Sequence, residues 1–129
     1  MDKNQAVIHK GDIFGPASTV ENGNNKHQHY MVYLEPLPDN HEFFIGALLT
    51  HATMNNNIPL HKDHFIESDE NGQLYKITFD NSMIANHPVY KRNDLDASKI
   101  AGRLSKKGID FIEENIAPYE MQFIDRNIG

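Results

Sequence analysis

The stretch Phe43-Phe44-Ile45-Gly46-Ala47-Leu48-Leu49 constrains this chain most, because all seven residues are apolar and none offers a polar side to water. Its length suits a strand better than a helix. It lies between a turn-forming segment, Glu35-Pro36-Leu37-Pro38-Asp39-Asn40, and Thr50-His51, so it reads as the central strand of a sheet. The segment before that turn, His29-Tyr30-Met31-Val32-Tyr33-Leu34, has the aromatic and β-branched content of a second, mostly buried strand.

The remaining elements are arranged around this pair. Ala6-Val7-Ile8 leads through Lys10-Gly11-Asp12 to Ile13-Phe14, a short strand that Gly15-Pro16 should stop. Residues Ala17 to Gln28 are small and polar, which predicts an exposed loop. Ile58-Pro59-Leu60 suits an edge strand, because proline cannot donate to a ladder. Leu74 to Phe79 alternates apolar and polar as a half-exposed strand does, and Ser82-Met83-Ile84 is a further short strand. Residues Asp94 to Arg103 carry no decisive period. Ile109, Ile112 and Ile116 then fall at helical spacing, with Ser105 placed as the cap and Pro118 as the stop. The pattern predicts one mainly β domain over residues 1–129, a small antiparallel barrel or half-barrel with a C-terminal helix.

Composition narrows the function classes. At 129 residues, 39% hydrophobic and 23% charged, the chain has ordinary globular usage. No apolar run reaches the roughly 18 residues of a membrane span, and the start Met1-Asp2-Lys3-Asn4-Gln5 lacks the pattern of a signal peptide, so the expected location is the cytoplasm with no membrane partner. Without cysteine there is no disulfide, thiolate zinc site or cysteine nucleophile. A net charge of −6 argues against a protein that coats nucleic acid non-specifically but leaves room for a local basic site. Eight histidines are many for this length, and imidazole is the side chain that exchanges protons nearest neutrality.

Four of the histidines fall in two short motifs. In an extended His27-Gln28-His29 both imidazoles share one face, whereas His61 and His64 on a strand would point to opposite faces and read as solvated. With Gly23 before it and Glu35 after it, the first motif resembles one half of a cupin metal site. The stretch around His61 does not supply the second half. A metal-binding cupin-like barrel using His27, His29 and one further histidine is therefore the alternative reading, and a non-catalytic interaction module on the same barrel is a third, which the negative charge suits.

A wider resemblance covers Ile8 to Ile84. Lys10-Gly11-Asp12-Ile13-Phe14, a polar glycine-containing loop, the strand from His29, the strand ending at Thr50, and Ile58-Pro59-Leu60 follow the order seen in MazF/PemK-type toxins. The helix from Ser105 to Ile116 occupies the place of that family's terminal helix. The resemblance implies an SH3-like barrel, usually a homodimer, that belongs to a type II toxin–antitoxin pair and cuts single-stranded RNA without metal or other cofactor. The RNA's own 2′-hydroxyl attacks, giving a 2′,3′-cyclic phosphate and a free 5′-hydroxyl. In the family an Arg opens the second of these strands and a Thr or Ser ends the third. Here Thr50 is in place and His29 stands where the Arg is expected. An imidazole serves as acid or base at neutral pH far more readily than a guanidinium. On this reading His29 and Thr50 are catalytic, while Lys26, His27, His51 and Tyr30 bind substrate, although a tyrosine in this alternation more often packs in the sheet than stacks on a base.

Overall fold

The computed structural model describes residues 8–21, 25–50, 57–79, 82–86, 88–93, 95, 100–116 and 122–123, and for 16–29 and 122–123 it describes the backbone alone. The strands are β1 (Asp12–Glu21), β2 (Asn25–Pro36), β3 (Phe43–Thr50), β4 (Ile58–Pro59), β5 (Phe65–Ile66), β6 (Met83–Ile84), β7 (Val89–Arg92), β8 (Ile100–Leu104) and β9 (Gln122–Phe123). A 3₁₀ turn, Lys62–His64, precedes β5, and the helix α1 spans Lys106–Ile116. The sheet runs β4-β6-β3-β2-β1-β8-β5, with β7 also on β3 and β9 on β7. Its pairings are antiparallel except β7–β9. The result is a mainly antiparallel, curled half-barrel with one helix, as the strand pattern predicts.

The apolar run is buried as its composition requires. One edge of β3 pairs with β2, and the other pairs first with β7 and then with β6. Along β3, Ala47 and Leu49 belong to the larger core cluster, with Ile45 packed against it. Phe44 belongs to a second cluster on the other face, with Leu48 packed against it. The same alternation divides β2, where Val32 and Leu34 join the larger cluster and Met31 and Tyr33 the smaller. Covering both faces is what an unbroken apolar strand demands, at about 1.5–3 kcal/mol for each large side chain removed from water. Helix α1 closes the larger core with Ile112 and Ile116.

β1 meets β8 through Asp12, Ile13 and Phe14. Opposite Asp12 stands Arg103, whose Nε donates to the Asp12 carboxylate at 2.7 Å. Asp12 is fully buried and also accepts the His9 N–H at 2.8 Å. The carboxylate in turn raises the pKa of the guanidinium beside it.

Several expectations are corrected. Gly15-Pro16 does not end β1. One extra β1 residue is accommodated between the Phe14–Met31 and Ala17–His29 pairs, a bulge that lets the strand continue. The glycine is needed there, since a Cβ on Gly15 would lie 2.6 Å from the Tyr30 ring. Ala17 to Gln28 contains no open loop across its described residues. Ala17–His29, Ser18–Gln28, Thr19–His27, Val20–Lys26 and Glu21–Asn25 pair as a two-stranded ribbon, because backbone pairing needs no apolar side chains. Leu74 to Phe79 makes no strand. An isolated bridge joins Ser68 to Leu74, the Ile77 N–H donates to the Ala101 carbonyl at 2.9 Å, and Leu74 is 79% exposed. Ile77 and Phe79 nevertheless pack on the core, so their period reported burial without reporting a ladder. Finally, α1 is followed by β9, so the helix does not complete the fold.

Candidate functional site

Of the residues expected at the RNA site, those that the structure describes lie on β2 and at the end of β3. Thr50 is the last residue of β3, half-buried and paired with Met83. Positions 26, 27 and 29 are on the β2 half of the ribbon, opposite Val20, Thr19 and Ala17, and their side chains are outside the description, as is His51 altogether. The β2–β3 pairs end at Met31–Leu48. Tyr30 packs against the larger core cluster, with its ring over Gly15. By the alternation of β3, Thr50 takes the opposite face of the sheet, that of Phe44 and Leu48. The described geometry therefore gives Tyr30 a packing role.

A second neighbourhood lies at the 3₁₀ turn, where a strand reading expects only solvated histidines. An open groove of about 950 Å³ is lined by His61, Lys62, Asp63, His64, Phe65, Glu67 and Lys107. Its floor is the 3₁₀ turn. The His61 N–H donates to His64 Nδ1 at 3.0 Å, and the His64 N–H donates to the His61 carbonyl at 3.0 Å. These reciprocal bonds curl the backbone, so the two imidazoles do not take the opposite faces an extended strand would give them. Their ring centroids are 5.2 Å apart at 71°. His64 is 2% exposed and stacks on Phe111 of α1 at 4.6 Å.

The same turn anchors the start of α1. The His64 carbonyl accepts the Ser105 N–H at 2.9 Å, and the Asp63 carbonyl accepts the Ser105 hydroxyl at 2.7 Å. Ser105 Oγ accepts the Gly108 N–H at 3.1 Å, the N-cap bond its position predicts. Lys106 and Lys107 sit in the first turn, where positive charge opposes the helix dipole. Each is answered from within the chain: Lys106 by Asp110 at 2.9 Å, Lys107 by Asp63 at 2.6 Å. Gly108 explains how closely the pieces approach, since a Cβ there would collide with the His64 carbonyl oxygen. That buried glycine inside a helix was the sequence signal for a close neighbour, glycine being costly at such a position otherwise.

Electrostatically the groove is mixed. The hydrogen bond from Lys107 holds the Asp63 carboxyl below its ordinary pKa. Burial is the main cause that pushes the His64 imidazole down, and His61 and Lys107 act in the same direction against Asp63. Because Nδ1 accepts the His61 N–H, the neutral ring carries its proton on Nε2. Among the described residues no group of three or more His, Asp and Glu side chains is arranged to hold a metal. Likewise, among the described residues, no helix is long and apolar enough to cross a membrane. No protein family, curated protein or solved structure matches the chain.

Proposed function

We propose that this chain is a metal-independent endoribonuclease of the MazF/PemK kind, acting on single-stranded RNA as the toxin of a toxin–antitoxin pair. The half-barrel with its late helix is compatible with such a barrel, and the register of β2 on β3 is the observation that carries the reading. Met31 pairs with Leu48 and Val32 with Ala47. Continued two residues beyond its last pair, that register would bring position 29 across from Thr50, which supports the reading. Directly opposite residues of an antiparallel pair have Cβ atoms roughly 5 Å apart, close enough to address one phosphodiester.

In this mechanism the His29 imidazole takes the proton of the 2′-hydroxyl, O2′ attacks phosphorus, and the P–O5′ bond breaks as the 5′-oxygen takes a proton from water. Thr50 donates to a phosphorane oxygen, and Lys26 and His27 supply positive potential along the ribbon. A homodimer, a cytoplasmic location and an acidic antitoxin segment blocking the groove complete the proposal.

The test is cleavage of a labelled single-stranded RNA by the full chain in EDTA. Products with 2′,3′-cyclic phosphate ends are expected, and His29→Ala should slow the reaction by about 10²–10⁴-fold, the usual contribution of a general acid or base. Inert wild-type protein, or an unimpaired His29→Ala variant, removes the proposal. Activity lost in EDTA and restored by zinc or iron moves the reading to the cupin-like barrel.

A further inference from the structure

We propose that His64 is a proton-operated latch between the 3₁₀ turn and α1, closed while its ring is neutral and released when the ring takes a second proton. The latch rests on geometry. Nδ1 of His64 is the acceptor for the His61 N–H at 3.0 Å. The ring is buried against Phe111 at 4.6 Å, and the residue's carbonyl holds the Ser105 N–H at the helix start. Gly108 lies so near that carbonyl that the two backbones are in direct contact.

An imidazolium has N–H on both nitrogens and no acceptor. Protonation therefore turns the His61 N–H···Nδ1 bond into two donors facing each other, inside a site with almost no access to water. The surrounding ionisable groups are His61 before the turn, Lys62 and Asp63 on it, Glu67 after β5, and Lys107 reaching in from α1. Asp63 is the charged neighbour that favours an imidazolium in the ring's electrostatics, and it is engaged by Lys107 at 2.6 Å. Relief comes from opening: the turn swings from α1, Nδ1 reaches water, and the groove widens at its helix side.

The direction with pH follows. The folded-state pKa of His64 is held below the ordinary imidazole value, chiefly by burial. The open chain thus takes the proton first as the medium is acidified. Closure is complete above about pH 6.5, the ordinary value, and is lost as pH falls through the lower folded value.

The experiment follows the His64 ring resonance and the amide exchange of Ser105 to Ile112 by NMR on the full chain, from about pH 8 to about pH 5. His64 should titrate below the other ring-resolved histidines. Protection of the helix start, corrected for intrinsic exchange, should fall by up to about tenfold per pH unit between the two values. In His64→Asn the side-chain oxygen sits as many bonds from the backbone as Nδ1, so it keeps an acceptor for the His61 N–H and titrates nothing. Its helix start should show no such loss. A His64 that titrates at or above the ordinary value in the folded chain overturns the latch, as does an equal loss of protection in His64→Asn. Should the Asn variant not fold, the wild-type ring titration decides alone.

Discussion

The ribbon formed by Ala17–Glu21 and Asn25–His29 and the turn His61–His64 are both polar in sequence, both rich in histidine, and held by opposite means. Among the described residues the ribbon pairs β1 with β2 alone: β1 meets β8 at Asp12–Phe14, and β2 meets β3 from Met31 onward. The turn is four residues long, yet its backbone bonds to itself and to Ser105, its Asp63 binds Lys107, and its His64 is buried on Phe111. A two-stranded ribbon by itself is only marginally stable in water. Polar sequence therefore says little about how firmly a segment is held, and the number of independent partners says much more.

This contrast can be broken or sharpened by substitution, beginning at the ribbon's root. Arg103→Ala would leave the buried Asp12 carboxylate without its cation and should cost about 3–5 kcal/mol in urea unfolding. A loss below about 1 kcal/mol would show that the pair contributes no more than an exposed one. At the turn, Gly108→Ala drives a methyl into the His64 carbonyl and should cost about 1–3 kcal/mol, despite alanine's better helix propensity. If that variant is more stable than wild type, the close approach between α1 and the turn is wrong. Ser105→Ala removes the cap bond to Gly108 and the bond to the Asp63 carbonyl, with an expected cost of about 1 kcal/mol by thermal melting. In the ribbon, Thr19→Ala should cost under about 1 kcal/mol, within the span of strand propensity. A larger loss would mean that the ribbon packs on the rest of the molecule and that the comparison fails.

Particular residues show how much was legible. Phe43–Leu49 announced a central strand, because seven apolar residues in a row leave no face for water. Ser105 and the isoleucines at 109, 112 and 116 announced the helix, and the structure begins it at Lys106 and ends it at Ile116. Pro59 marked an edge, and among the described residues β4 pairs with β6 alone. The strand Val89–Arg92 was not singled out, and Lys91 within it is buried, its ammonium 5.7 Å from the centre of the Phe44 ring, a contact no local pattern encodes. For the proposed chemistry the sequence nominated His29 and Thr50; Thr50 ends β3 and pairs with Met83, while the His29 side chain lies outside the described residues. The groove at His61 and His64 was discounted because i, i+3 residues diverge on a strand, whereas they converge in a 3₁₀ turn.

The sequence by itself determined which segments must leave water and with what period, since apolar burial and helix capping act over a few residues and need no distant partner. Tertiary structure decided the rest. It made Gly15-Pro16 a bulge, a polar stretch a ribbon, and an ordinary-looking His64 the buried acceptor at a helix start. In each case the deciding contact joins residues far apart in the chain, or depends on one backbone curl that local composition leaves undetermined.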